Sequence, residues 1–140
     1  MPGPISNIAN NVVPPRAVDE VSAEQSESGW RIRARKVIDG SDRFPDRDFQ
    51  GTAIYPGVFV VESLLHAVSE GLGVACEIGS VRSARFLLPL MSGDVMILDA
   101  TVEPTPGGMF LVTATVLCED VGVAAELDIV LCRQEIADAA

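Results

Sequence analysis

The chain has 140 residues, 48% of them hydrophobic, which is enough to bury the core of one domain. Its net charge of −10 argues against a nucleic-acid partner, because the phosphates would repel it. No apolar run approaches the roughly 18 residues that span a bilayer, and no signal-peptide pattern is present. We therefore expect a cytoplasmic protein without a membrane partner. Three cysteines at spacings that match no zinc site predict buried free thiols and no metal centre.

Residues 1–15 contain four prolines without hydrophobic periodicity and are predicted to be a mobile leader. Residues 16–140 are predicted to form a single domain. Within it, residues 30–38 alternate polar and apolar side chains, which is typical of a half-buried strand. Arg31, Arg33 and Arg35 project from one face of that strand. They are interpreted as a solvated strand face or, alternatively, as a docking patch for an acidic partner.

The segment 48–67 joins a turn-rich loop to one convincing helix and contains the only histidine. Pro56-Gly57 marks the start of the helix, because proline suits a first turn whose N–H groups have no helical partner. Gly71 and Gly73 are stop signals. The sequence between is apolar on nearly every side, which predicts a helix that is buried on most faces.

Glu62 and His66 are polar exceptions on this helix, and their spacing of four residues places them on one face. A buried carboxylate must be hydrogen-bonded, charge-paired or functional, because burial alone disfavours its charged form. Glu62 is thus either a partly exposed residue paired with His66 or a catalytic group. The free N–H groups near Gly57 and the helix dipole can polarise an oxygen such as a thioester carbonyl.

Four β-rich runs follow the helix and are separated by short turns, which favours an antiparallel sheet. The predicted strands cover residues 81–88, 95–102, 109–118 and 123–132. One long apolar helix with such a sheet predicts an α+β domain in which the sheet wraps the helix.

The segment 48–67 also resembles the FabZ/FabA-like bacterial 3-hydroxyacyl-acyl-carrier-protein dehydratases. Their signature reads roughly His-Phe-Pro-Gly, four variable residues, Pro-Gly-Val, and then Glu-Ala-x-x-Gln. The matching residues here are Asp48-Phe49-Gln50-Gly51, Pro56-Gly57-Val58 and Glu62-Ser63-Leu64-Leu65-His66. A second family stretch is similar to Arg85-Phe86 and Ser92-Gly93-Asp94. The resemblance implies the hotdog fold, in which an antiparallel sheet wraps around one long central helix.

The resemblance further implies elimination of water from a 3-hydroxyacyl thioester, in fatty-acid or polyketide synthesis, to give a 2-enoyl thioester. The substrate is carried on the phosphopantetheine of an acyl carrier protein, and no other cofactor is expected. The Gly57 N–H would hold the thioester carbonyl, and Glu62 would protonate the leaving hydroxyl. The expected acyl-tunnel walls are Val58, Phe59, Phe86 and Leu88. The carrier-protein docking candidates are Arg31, Arg33, Arg35, Arg82 and Arg85.

Two departures from the signature concern the base. Asp48 stands where the family has its catalytic histidine, and His66 replaces the helix glutamine. Aspartate is a weaker base, with an ordinary pKa of about 3.9 against about 6.5 for histidine. The resemblance implies a dimer whose sites combine the loop of one subunit with the helix glutamate of the other. A homodimer would pair Asp48 with Glu62, whereas the preferred heterodimer would supply a partner's histidine. A non-catalytic or acyl-binding subunit and a thioesterase are the alternatives.

Overall fold

Six antiparallel strands and one helix make up the described part of the chain, residues 18–39 and 54–134 of a computed structural model. The elements are β1 (Glu20–Ser26), β2 (Gly29–Val37), α1 (Gly57–Leu72), β3 (Cys76–Phe86), β4 (Val95–Pro104), β5 (Met109–Cys118) and β6 (Gly122–Arg133). The strands form one sheet in the order β1-β2-β4-β5-β6-β3, so β1 and β3 are its edges. The predicted α+β arrangement is confirmed.

The core lies between α1 and the inner face of the sheet. Alternation along the strands places apolar side chains on this face, with the buried Lys36 as an exception, and most polar ones on the other. Ile32, Leu98, Val112 and Ile129, one from each of four strands, are at most 1% exposed. The sheet therefore supplies an apolar floor on which the helix packs.

Local sequence determines where α1 begins and ends. Pro56 precedes the first turn, and its carbonyl accepts the N–H groups of Phe59 and Val60 at 2.9 and 3.2 Å. Gly73 ends the helix in a left-handed conformation with φ of 71°, which glycine adopts without steric cost. The predicted start at Pro56-Gly57 and the predicted stop at Gly73 are confirmed, whereas Gly71 lies inside the helix.

The burial of α1 is narrower than its apolar sequence suggests. The residues on the inner face are buried, namely Phe59, Val60, Ser63, Leu64, Ala67 and Val68. The opposite face is half-buried, and Val58 is 52% exposed. The predicted burial on most faces is therefore not found within one chain, because the sheet covers only one side of the helix.

The edges of the sheet differ most from the sequence-based prediction. Strand β1 was not predicted, because its sequence lacks apolar alternation and only Val21 is even partly buried. Backbone pairing with β2 holds this segment in the sheet, although its side chains show no strand pattern. Strand β3 begins five residues before the predicted start and contains two register shifts. Leu87 and Leu88 leave the strand and donate their N–H groups to the Ala124 carbonyl at 2.7 and 3.1 Å.

The three cysteines are free thiols. Cys76 and Cys118 are buried, and burial raises the pKa of both thiols, whereas Cys132 is only half-buried. Within residues 18–39 and 54–134, no helix has the length and apolar character that crossing a membrane requires. The leader predicted at residues 1–15 and the catalytic candidate Asp48 lie outside the described residues.

Candidate active site

An apolar cavity of about 320 Å³ opens beside the first turn of α1. The end of β3, the segment that follows it and the start of β6 form its other walls. The described lining residues are Ile54, Tyr55, Gly57, Val60, Phe86, Leu87, Leu88, Pro89, Leu90, Ala124 and Ala125. Among these, only Tyr55 has a polar side-chain atom. The cavity therefore suits a hydrocarbon chain rather than a polar ligand.

The first N–H groups of α1 are available at this cavity. In the described part of the chain, the N–H groups of Gly57 and Val58 have no hydrogen-bond acceptor, while those of Phe59 and Val60 bond to Pro56. Gly57 itself lines the cavity. Free N–H groups at the positive end of the helix dipole stabilise negative charge on an oxygen. A thioester carbonyl at the cavity mouth would meet such donors.

Gly57 also allows the close approach of Phe86. A Cβ atom at residue 57 would lie 3.0 Å from Cζ of the Phe86 ring, closer than ordinary van der Waals contact. The Phe86 side chain is half-exposed and lines the same cavity. A larger residue at 57 would therefore displace an aromatic wall of the cavity.

Tyr55 fixes the turn that precedes Gly57. Its N–H donates to the Leu90 carbonyl at 2.7 Å, and its ring packs edge-on against Phe59 with centroids 5.5 Å apart. Its hydroxyl lies 3.2 Å from Oγ of Ser63, and both side chains are buried. Ser63 follows Glu62 directly, so this hydroxyl pair ties the turn before the free N–H groups to the helical turn that carries Glu62.

Glu62 and His66 share the half-buried face of α1, as their spacing predicts. Within the described ranges, neither forms a hydrogen bond or an ion pair. Glu62 lies two residues after Val60, which is about 200° further around the helix axis, so it does not line the cavity of its own chain. No group of His, Cys, Asp and Glu side chains among the described residues is placed to hold a metal ion.

Of the predicted tunnel walls, the structure brings Phe86 and Leu88 to the cavity together with Gly57. It does not bring Val58 or Phe59 there, because Val58 is exposed and Phe59 packs against Tyr55 in the core. Sequence reasoning missed the lining residues Ile54, Tyr55, Val60, Leu87, Pro89, Leu90, Ala124 and Ala125. The apolar run after Phe86 was a usable signal for three of them, whereas nothing local marks the two alanines.

None of the arginine candidates is among the described lining residues of the cavity, and several are engaged in ion pairs. Arg31 binds Asp99 through two hydrogen bonds of 3.0 and 2.8 Å, and Arg33 approaches the same carboxylate at 4.0 Å. These contacts with Arg31 hold the pKa of Asp99 below its usual value. Arg85 pairs with Glu126 at 3.2 Å, while Arg82 is exposed on β3. The roles of all five, including Arg35, remain predictions.

A helix of this length packed on a six-stranded antiparallel sheet in this order is the hotdog fold. The chain superposes on the dehydratase heterocomplex ApeI:P from Xenorhabdus doucetiae with a TM-score of 0.66 and 12% identity, covering 88% of this chain and 86% of that one. It also superposes on an acyl-CoA hydrolase from Staphylococcus aureus with a TM-score of 0.58 and 16% identity, covering 83% and 69%. At these identities the likeness establishes the fold.

Sequence comparison establishes the family. No family model matches the chain. It is 32% identical over 108 residues to 3-hydroxyacyl-[acyl-carrier-protein] dehydratase FabZ from Escherichia coli O9:H4 (strain HS), covering 66% of this chain and 72% of the relative. FabZ from Escherichia coli strain K12 / DH10B matches with the same identity and coverage. The chain therefore belongs to the FabZ family of hotdog dehydratases.

Proposed function

We propose that this protein is a subunit of a 3-hydroxyacyl-acyl-carrier-protein dehydratase in fatty-acid or polyketide synthesis. The observation that carries the proposal is an apolar cavity lined by Gly57, whose N–H has no acceptor among the described residues, in a chain of the FabZ family. The cavity would take the acyl chain, and the N–H groups would take the thioester oxygen. The phosphopantetheine of the carrier protein delivers the substrate, and the elimination needs no further cofactor.

The proposed reaction removes one water molecule by two proton transfers. A base takes the C2 proton, and the electrons of that bond form the C2–C3 double bond as the C3–O bond breaks. Negative charge that develops on the thioester oxygen is stabilised at the Gly57 N–H. Glu62, in its protonated form, donates a proton to the leaving hydroxyl, so water departs. The product is a 2-enoyl thioester.

The position of Glu62 supports a site shared between two subunits. Glu62 points away from the cavity that its own chain builds, on a helix face that the described residues leave half-buried. The edge strand β3 is exposed from Gly79 onward and ends at the cavity wall, so a second subunit has an open edge to pair with. We therefore place Glu62 opposite the cavity of a second hotdog subunit.

A histidine-bearing partner is the preferred source of the base. Asp48 replaces the family histidine, and an aspartate is the weaker base near neutral pH. The structural neighbour from Xenorhabdus doucetiae is itself a dehydratase heterocomplex. In a homodimer, Asp48 or His66 would have to serve instead. The same replacement favours a second candidate, a non-catalytic hotdog subunit that binds acyl chains or stabilises its partner.

The test is a dehydration assay on the purified full-length chain with a 3-hydroxyacyl-carrier-protein, read by mass spectrometry for the loss of one water. The chain is assayed alone and after mixing with a FabZ-family protein that retains the loop histidine but carries glutamine in place of its own helix glutamate, so that only the mixed dimer combines both groups. We expect turnover in the mixture, and a decrease of about 10²- to 10⁴-fold with Glu62→Gln. Glu70→Gln, at an exposed position of the same helix, is the matched control.

Each other outcome contradicts a defined part of the proposal. Free acid as the product would make the protein a thioesterase. Equal turnover by the unmodified chain and by Glu62→Gln would favour the non-catalytic subunit.

The variant Asp48→His restores the family residue, and we expect it to give the single chain activity that it otherwise lacks. Strong turnover by the unmodified chain alone would overturn the preference for a heterodimer.

A further inference from the structure

Two consecutive alanines form part of the cavity wall at the start of β6. Ala124 and Ala125 are each 1% exposed, and both line the cavity. The Ala124 carbonyl accepts the N–H groups of Leu87 and Leu88, so its backbone holds the opposite wall in place. The β5–β6 register shifts at this point, and Ala125 pairs with Val116 on β5 and with Phe86 on β3.

Ala125 occupies an inner-face position where the rest of the strand carries larger side chains. The next inner-face residues of β6 are Leu127, Ile129 and Leu131, all at most 2% exposed. Paired residues on neighbouring strands point to the same side of a sheet, so Ala125 faces the same space as the Phe86 ring. A branched side chain at 125 would therefore enter the cavity. The small side chain is what leaves this end of the core unfilled.

We propose that Ala125 sets the depth of the cavity and thereby the longest acyl chain that the protein accepts. The inference rests on the proposed function, since it takes the occupant to be the straight hydrocarbon chain of a carrier-bound thioester. The apolar lining fits such a chain, and Tyr55 alone contributes a polar side-chain atom among the described lining residues. A volume of about 320 Å³ corresponds to about ten atoms of roughly 30 Å³ each. The cavity thus suits medium-length chains.

The experiment measures binding rather than turnover. The probes are acyl-pantetheine amides of increasing straight-chain length, in which a stable amide replaces the thioester, and calorimetry gives each Kd. In the unmodified protein, affinity should rise about fourfold for each added methylene until the chain reaches about ten carbons, and then level off. Ala125→Val should bring the limit about two carbons earlier, and Ala125→Leu about three, in proportion to the carbons added.

Ala114→Val is the matched control. Ala114 is also a buried alanine on the inner face of its strand, at 2% exposure, but it does not line the cavity. Its variant should overpack the core to a similar degree and leave the length limit unchanged. Circular dichroism and Tm are measured for every variant, and Ala125→Val provides the smaller change should the leucine variant fail to fold.

The results separate this inference from the proposed function. The same length limit in Ala125→Val and the unmodified protein would overturn the inference, as would an equal shift in Ala114→Val or no binding of any acyl probe. Acyl binding with the predicted limit, but no dehydration in any mixture, would sustain the inference and refute the catalytic role.

Discussion

The two faces of the sheet carry different kinds of side chains, although the same strands form both. The outer face carries charged residues that neutralise one another, as in the two hydrogen bonds from Arg31 to Asp99 and the pair of Arg85 with Glu126. The inner face is mostly apolar and, beside the first turn of α1, leaves a cavity next to free backbone N–H groups. The charged side chains of these pairs are thus occupied with one another, whereas the cavity is built from backbone donors and apolar residues.

Among the effects that compare the two faces, the largest is expected on the inner side, at the buried hydroxyl pair. We expect Ser63→Ala to lower kcat for dehydration about tenfold with little change in KM, because the pair holds the turn before Gly57 against the helical turn of Glu62. The loss of a buried hydrogen bond should also cost about 1 kcal/mol of the free energy of unfolding. Steady-state kinetics and urea unfolding measure the two quantities.

The matched control is Thr101→Val on the outer face, where the Thr101 hydroxyl donates to the Thr113 carbonyl at 3.5 Å. It should leave kcat unchanged. Equal kcat values for Ser63→Ala and Thr101→Val would show that the buried pair adds stability without positioning the site.

A smaller effect is expected for carrier-protein docking. Arg82 lies on β3, the strand that ends in the cavity-lining Phe86, and forms no ion pair with the described residues, whereas Arg31 lies on β2 and is held by Asp99. We expect Arg82→Ala to raise KM for the carrier-bound substrate about threefold, which corresponds to an exposed charge contact. Added salt should remove the difference.

Arg31→Ala, made in the same background, should leave that KM unchanged. An equal rise with Arg31→Ala would instead identify the outer face of β2 as the docking patch. In that outcome the basic residues of β2, rather than those of β3, would bind the carrier protein.

The smallest effect is the pH dependence of the Arg31–Asp99 pair. The hydrogen bonds from Arg31 hold the pKa of Asp99 below its ordinary value of about 3.9, so the folded state binds the proton less tightly than the unfolded state. The stabilisation is therefore fully present above the ordinary value and is lost as pH falls through the lower value of the folded protein.

Urea unfolding of the unmodified protein and of Asp99→Asn measures this contribution. The variant should be less stable by no more than about 1 kcal/mol at neutral pH, because the pair is partly exposed. The two stabilities should converge in acid. A difference that grew as the pH fell would contradict the assignment of the shift to Arg31.

Much of the fold was predictable because its signals are local. Proline and glycine at the ends of α1 fix its boundaries through backbone geometry, and residue alternation identified the strands of the core. Strand β1 escaped prediction because an edge strand gains its order from backbone pairing with β2 rather than from buried side chains. The half-buried face of α1 was not predicted either, because an apolar sequence does not reveal which side of the helix the sheet covers.

The candidate site was predictable only in part, for the same reason. Gly57, Phe86 and Leu88 were predicted from the family resemblance, and the structure places all three at the cavity. Tyr55 and Ala125 were not predicted, because their roles depend on contacts with residues that are distant in the sequence. Ala125 reaches the cavity only through its register with Phe86, a residue far away in the chain.

The sequence by itself determined the α+β class, the helix boundaries and the membership of a dehydratase family, because turn geometry, periodicity and motif spacing are properties of neighbouring residues. Tertiary structure alone decided that Arg31 is held by Asp99, that Glu62 points away from the cavity of its own chain, and that two alanines leave that cavity open. These properties depend on strand register and helix orientation, which packing between distant segments sets and which no local pattern records.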